Sequence, residues 1–373
     1  MSAPIHIVGG GLVGLASGVE LLRAGRAVTL LDSGRAGRGA SWAAAGMLAP
    51  RFEADFDDVE MIRLLVESQR RWADYADSLH ADGRAAVDYD DTGTLFVALD
   101  RDDEEAARRW YDFARHYDLP VERLDRDALL DREPLLSARA RMAVVCAGDH
   151  QLDNRKLVEL LRTTFLALGG ELREETAVAS IEVAAGAVRS LTLASGDSIA
   201  TTNLLLASGA WTRTIDGLAP HRPVIRPVKG QALALRPRPG EELPRAVLRS
   251  TEVYLAPKRD RLIVGGTVEE MGFDARVTSE AVCELLRAAY ELVPSTYELE
   301  VAEMWAGFRP ASTSGRPILG PSPIAGLTFA LGHHRHGVLL LPITVDTVTA
   351  HLLGRPLPEV AQPFLATTAG TAP

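Results

Sequence analysis

Three glycines and one acid are the residues whose types and spacing point most directly to chemistry. Gly9, Gly11 and Gly14 form G-x-G-x-x-G, and Asp32 follows 21 positions after Gly11. In such a turn the first glycine permits the tight bend and the second lets backbone approach a pyrophosphate. The third lets helix and strand pack closely. A helix opening there offers free N–H groups and its positive dipole end to a diphosphate. An acid placed like Asp32 can bond a ribose 2′-OH, which favours FAD or NAD over NADP. The competing reading is a glycine turn that only packs a βαβ unit. The flanks favour the first. Ile5, Ile7 and Val8 make a short apolar run, Leu12, Leu15, Val19 and Leu22 recur at helical spacing, Gly25 supplies a stop, and Ala27–Leu31 is a second apolar run that ends in Asp32.

Two further stretches could carry chemistry. Residues 34–50, GRAGRGASWAAAGMLAP, are small and short of charge after Arg38. Such backbone can lie close against something flat and bulky; the competing reading is a small-residue helix packed on another helix. Late in the chain, Gly332-His333-His334-Arg335-His336-Gly337 joins the last apolar strand to the last helical pattern, which is read as residues 337–353. Backbone N–H groups at that junction could face developing negative charge on a cofactor. The H-H-x-H spacing lacks a nearby acidic ligand, so no metal is assigned. Arg309 and Arg335 sit among apolar and glycine neighbours. An arginine so placed can clamp a carboxylate through two parallel bonds, or it can satisfy carbonyls and bridge domains. There is no G-x-S-x-G, H-E-x-x-H or cysteine cluster, so a cofactor is expected to carry the reaction.

The elements that must position these residues follow from periodicity. Helices are predicted from Asp57 or Asp58 to Leu79 and over Asp102–His116. Two more are predicted over Arg155–Leu168, with Asp153 as N-cap, and over Ser279–Leu292. Strands are predicted at Thr94–Leu99, Met142–Cys146 and Leu327–Leu331, and from Asn203 to Ala207 before the turn Ser208-Gly209-Ala210. Val253–Ala256 and Arg261–Gly265 read as a hairpin, and the proline-rich stretch 220–244 as sheet edge and loops. The chain of 373 residues carries a net charge of −10 with 47% hydrophobic residues. That supports a packed core, and the lack of a basic block argues against a nucleic-acid partner. Cys146 and Cys283 sit among apolar neighbours and are read as buried thiols. With no charged leader before Ile5 and no apolar stretch of spanning length, a cytoplasmic protein without stable membrane insertion is expected.

These motifs resemble the D-amino-acid oxidase family of FAD-dependent oxidoreductases, and within it the glycine oxidase branch that serves thiamine biosynthesis. The resemblance spans nearly the whole chain. It rests on GGGLVG with Asp32, GASWAAAGMLAP, ASGAWT, VYLAPKRDRLIVGGT, WAGFRP and GHHRHGVLLLPIT. The second and last of these are the most specific. The resemblance implies an α/β fold in which a Rossmann-like FAD-binding domain (residues 1–50, 142–217 and 305–363) carries a discontinuous α+β substrate domain (51–141 and 218–304). A tail over 364–373 is expected to be disordered.

It also implies roles. Gly9, Gly11, Leu12, Val13 and Gly14 would lie on the diphosphate of a non-covalent FAD, and Asp32 and Ser33 on the adenosine ribose. Ala40, Ser41, Ala45, Gly46 and Met47 would follow the ribityl chain and flavin, Val178 would meet adenine, and Gly209 would approach the nucleotide. His333, His334, Arg335, His336, Gly337, Val338 and Leu339 would wrap the pyrimidine edge of the flavin. Arg309, Arg335 and Tyr254 would hold a small amino acid by its carboxylate, with no acid–base residue assigned. His334, His336 and Ser314 depart from the family pattern, which bears on substrate preference. Glycine oxidation with O2 as acceptor is the expectation. A D-amino-acid, proline or sarcosine-type dehydrogenase using another acceptor stays open, as does self-association.

Overall fold

The computed structural model describes residues 3–50, 58–117 and 119–366. Two large sheets organise it. The first has six strands in the order Ile318–Pro321, Leu327–Leu331, Leu204–Leu206, Ile5–Val8, Val28–Leu31 and Glu171–Arg173. All neighbours are parallel except the pair Ile318–Pro321 and Leu327–Leu331. Ile5–Val8 and Val28–Leu31 are buried at every position, which explains why they read as continuous apolar runs rather than alternating ones. Helix Leu12–Arg23 packs between helices Asn154–Ala167 and Leu341–Leu352. Gly18 makes this possible, because a side chain there would meet the Phe165 ring at 2.6 Å. A three-stranded antiparallel sheet over residues 178–200 flanks this unit.

The second sheet has eight strands in the order Glu300–Ser312, Ile225–Arg236, Leu262–Gly265, Tyr254–Pro257, Val247–Arg249, Thr94–Ala98, Met142–Cys146 and Glu122–Asp125. Its core includes Leu95, Val145, Leu233, Leu255 and Val264, covered by Leu285, Ala289 and Leu292 of helix Ser279–Leu292. The mixed architecture is the expected fold class.

Several boundaries differ from expectation. Met142–Cys146 and Glu300–Ser312 both pair in the eight-stranded sheet. Residues 142–146 and 305–312 therefore sit with the segments assigned to substrate, not with the nucleotide segments. An isolated apolar strand fits either sheet equally well, and only long-range pairing decides. Ile225–Arg236 is not an edge strand, because it lies between Glu300–Ser312 and Leu262–Gly265. Its Pro227 sits opposite Pro310. Residues 364–366 are packed rather than loose, with the Ala366 N–H donating to Leu319 O at 2.8 Å; 367–373 lie outside the described residues. Cys146 is buried, but Cys283 is exposed on its helix. Among the described residues no helix is long and apolar enough to cross a membrane.

The helix starts follow their caps. Asp58 caps Val59–Leu79 through Met61 N–H, Asp100 caps Arg101–His116, and Asp153 caps Asn154–Ala167 through the N–H groups of Arg155 and Lys156. The last helix begins at Leu341, four residues later than predicted, with Pro342 in its first turn. A 3₁₀ turn over His334–His336 precedes it.

Candidate active site

The glycine turn is built as the spacing requires. Gly9 has φ +107°, and a Cβ there would lie 2.4 Å from Ala207 O. One on Gly14 would lie 1.9 Å from Gly9 O, so the helix can close on the turn only without it. A Cβ on Gly11 would meet Ser41 Oγ at 3.1 Å and no other atom within 4 Å, which leaves this glycine open toward the cleft. Asp32, at the carboxyl end of Val28–Leu31, accepts from Gly10 N–H at 2.7 Å and from Gly34 N–H at 2.9 Å. It therefore ties two turns together, and each oxygen keeps a second lone pair for a ribose hydroxyl. Ser41 Oγ accepts from Leu12 N–H at 2.9 Å.

One cleft of about 790 Å³ runs from this turn to the eight-stranded sheet. Of the residues expected from the sequence, it is lined by Gly9, Gly11, Leu12, Val13, Asp32, Ser33, Ala40, Ser41, Ala45, Gly46, Met47, Val178 and Gly209 on the nucleotide side. His333, His334, Arg335, Gly337, Val338, Tyr254 and Arg309 complete that set. Three expected residues do not line it. Gly14 faces Gly9 O. His336 is buried, and the Leu339 carbonyl accepts from Ser68 Oγ and Trp72 Nε1 inside the core. A tight turn alternates its side chains between cleft and core, so an unbroken run 333–339 could not all face a ligand.

The end of the cleft at the eight-stranded sheet is floored by glycines. Gly307 pairs with Gly230, Ala232 with Gly265, Gly265 with Tyr254, and Tyr254 with Arg249. Residues opposed in this way share one face of the sheet. The side chains that glycine lacks are replaced by neighbours lying flat. A Cβ on Gly230 would fall 2.3 Å from Arg309 Nη1, and one on Gly265 would fall 2.3 Å from Tyr254 Oη. Both groups converge, since Tyr254 Oη and Arg309 Nη2 lie 3.2 and 3.5 Å from where a Cβ on Gly266 would be. Arg309 Nη1 donates to Thr267 O at 3.0 Å and to Lys229 O at 3.4 Å. The arginine thus satisfies carbonyls with one nitrogen while the guanidinium still lines the cleft.

The small-residue stretch also finds its partner. It forms a one-turn helix, Ala40–Ala43, on the edge strand Glu300–Ser312. A Cβ on Gly307 would come within 2.4 Å of Ala43 Cβ, and Trp305 Nε1 donates to Ala43 O at 3.0 Å. Beside this joint the Arg155 guanidinium sits between Trp42 and Trp305, 4.6 and 4.7 Å from their ring centroids, and pairs with Glu303.

Arg335 is exposed on the 3₁₀ turn, next to His334 in the left-handed region at φ +48°. His333 is buried, with Nε2 3.0 Å from Thr344 Oγ1. Burial pushes its imidazole down to about 4, so at neutral pH it brings no positive charge to the cleft.

Arg249, Trp211, Phe308 and Gly230 line the cleft without having been singled out. Arg249 could have been found by folding the 253–265 hairpin back one strand, which sets it opposite Tyr254. Trp211 and Phe308 lay in quoted motifs, but their cluster with Phe273 (centroids 5.3–6.2 Å apart) depends on three distant segments.

The cleft fits FAD. The open Gly11, the Asp32 carboxylate at the second strand and a cavity of about 790 Å³ suit a dinucleotide. Comparisons with known proteins agree. The "Bifunctional protein ThiO/ThiG" of Synechocystis sp. is 32% identical over 98% of this chain, which spans 55% of that longer protein. The glycine oxidase of Pseudomonas putida is 31% identical over 95% of both chains. The crystal structure of glycine oxidase from Geobacillus kaustophilus superposes with a TM-score of 0.88 at 30% identity, covering 97% of each chain. The family model described as "FAD dependent oxidoreductase" matches residues 5–350. The chain therefore belongs to the D-amino-acid oxidase family of FAD-dependent oxidoreductases.

Proposed function

We propose that this enzyme oxidises the Cα–N bond of a small amino acid, glycine foremost, in support of thiazole synthesis for thiamine. The observation that carries the reading is the convergence of Arg309 and Tyr254 over Gly266, in the cleft that begins at the glycine turn. The similarity to glycine oxidases and to ThiO/ThiG points the same way.

In this reading the six-stranded sheet holds FAD and the eight-stranded sheet holds substrate. Arg309 and Arg335 take the carboxylate, the first as a planar fork fixed from behind by two carbonyls. Tyr254 donates its hydroxyl to the same group. With the carboxylate fixed, Cα is oriented and the amine is left to lose its proton, since only the neutral nitrogen has a lone pair for the forming imine. Among the described lining residues the one carboxylate is Asp32, at the glycine turn, and His333 is neutral. In this reading the chain supplies orientation and exclusion of water, and no residue is assigned as a base. FAD, which the glycine turn and Asp32 would hold, would supply the two-electron oxidation of the Cα–N bond, with dioxygen as the final acceptor and hydrogen peroxide as its product. The imine hydrolyses to a 2-oxo acid and ammonia or passes onward.

The test is anaerobic mixing of the holoenzyme with glycine, sarcosine, D-alanine and D-proline, followed by air. Glycine should bleach the flavin and air should restore it with peroxide release. Bleaching that air does not reverse would point to a dehydrogenase, and no bleaching by any of the four would reject an amino-acid substrate. Arg309→Met should lose glycine turnover while keeping FAD.

A further inference from the structure

The carbonyls that hold Arg309 are themselves held by a polar cluster outside the cleft. Lys229 lies on strand Ile225–Arg236, and residues 267–269 run alongside it. The Lys229 N–H donates to Glu269 O and the Glu269 N–H to Lys229 O, both at 2.9 Å. Thr267 N–H donates to Gln231 O at 3.2 Å. The side chains lock the same pairing. Lys229 Nζ lies 3.3 Å from Glu269 Oε2, with the lysine side chain 1% exposed. Glu269 Oε1 accepts from Gln231 Nε2 at 2.8 Å and from Thr267 Oγ1, while Thr267 Oγ1 accepts from Gln231 N–H at 2.8 Å.

All of these bonds but one, Gln231 Nε2 to Glu269 Oε1, hold Lys229 or Thr267 directly, and that one steadies the carboxylate facing them. The Lys229 and Thr267 carbonyls are the two acceptors of Arg309 Nη1. A buried lysine opposite a carboxylate is a costly construction unless its geometry is used. Here the geometry sets the plane in which the guanidinium lies across Gly230.

We propose that Lys229 and Glu269 are positioning residues for substrate: their ion pair clamps residues 267–269 to the strand and so fixes Arg309 in the orientation that grips a carboxylate. This rests on the reading of Arg309 as the carboxylate ligand. Neither residue touches substrate. Loss of the pair frees the 267–269 segment, the two carbonyls separate, and the guanidinium loses its fixed plane while keeping its charge.

The experiment is a titration of flavin absorbance with glycolate, alongside glycine kinetics, in the holoenzyme. Glu269→Gln and Lys229→Met should each raise the glycolate Kd and the glycine KM at least tenfold, with FAD affinity within twofold of wild type. Lys229→Arg keeps the pair and should stay within threefold of wild type. In an Arg309→Met background, Glu269→Gln should add nothing, because its effect passes through Arg309. If Glu269→Gln fails to hold FAD, Thr267→Val, which removes the two bonds of the Thr267 hydroxyl and keeps the shape, takes its place. Should Arg309→Met bind glycolate as wild type does, the carboxylate reading falls and the inference with it. Should Arg309→Met weaken glycolate while the cluster variants do not, or should they still weaken it without Arg309, the inference alone is overturned.

Discussion

Gly230→Ala adds one methyl group and removes no functional atom, yet it should disable substrate binding. A Cβ at Gly230 lies 2.3, 2.5 and 2.6 Å from Nη1, Nη2 and Cζ of Arg309. Ordinary contact begins near about 3.5 Å, so the guanidinium must retreat by roughly 1 Å. A charge-assisted bond of about 2.8 Å then stretches beyond useful range. Bonds of this kind are worth about 1.5–3 kcal/mol, so the glycolate Kd should rise about 10- to 150-fold. The fold should tolerate the change. Gly230 is extended within a strand, alanine is the better strand residue there, and what moves is the end of a flexible side chain. FAD content and thermal stability should match wild type. Gly265→Ala is the internal comparison. It displaces Tyr254 Oη, 2.3 Å away, a neutral donor whose loss is worth only about 0.5–1.5 kcal/mol. The assay is the same absorbance titration in both variants. A glycolate Kd within twofold of wild type for FAD-loaded Gly230→Ala would refute the glycine floor as the seat of the arginine. A larger loss in Gly265→Ala than in Gly230→Ala would refute the ranking.

Asp32→Ala removes the acceptor shared by Gly10 and Gly34 along with the expected ribose contact. FAD affinity of the apoprotein should fall by about 1.5–3 kcal/mol or more, and an unchanged Kd by fluorescence titration would mean that the acid serves neither. Acid precipitation should release FAD to the supernatant; colour retained in the pellet would show a covalent link. His333 gives a pH signature. Its folded value of about 4 lies below the unfolded 6.5, so the unfolded chain binds more protons between these values. Its contribution is complete above about pH 6.5 and is lost as pH falls toward 4, by about 3 kcal/mol. Urea unfolding from pH 7 to 4 should show a steeper loss in wild type than in His333→Gln, and equal slopes would mean that the imidazole charges in the folded state.

The parts of the site legible in the sequence are those whose partners are close along the chain. The glycine turn, Asp32 and the two apolar strands span 28 residues; Gly9 bends the turn and Gly14 packs against it as their spacing implies, and Gly11 stays open toward the cleft. The glycine floor of the cleft was hidden because it is a matter of register. Gly230, Gly265 and Gly307 sit on three strands up to 77 positions apart, and nothing local in any of them says that an arginine or a tyrosine fills its missing side chain. Within the run 333–339, His336 and Leu339 do not line the cleft: His336 is buried in the 3₁₀ turn, and the Leu339 carbonyl bonds into the core. Met142–Cys146 carried the right element and the wrong sheet. Of the two readings of Arg309, the structure shows the bonds to carbonyls, and the guanidinium also lines the cleft where the proposed clamp would need it.

The seating of Arg155 between Trp42 and Trp305 bears on ionic strength. Its Glu303 partner is 41% exposed, so added salt should screen that attraction within a Debye length of about 8–10 Å. The contact with two indole faces is short-ranged and partly shielded from water, and it should persist where the ion pair fades. Arg155 leads from the helix beside the cofactor turn to the strand that carries Arg309. The spacing between the glycine turn and Arg309 should therefore hold in concentrated salt, while the exposed pairs elsewhere, such as those around Arg287, give up what little they contribute. Added salt would then cost such exposed pairs before it disturbs the joint between the glycine turn and the strand of Arg309.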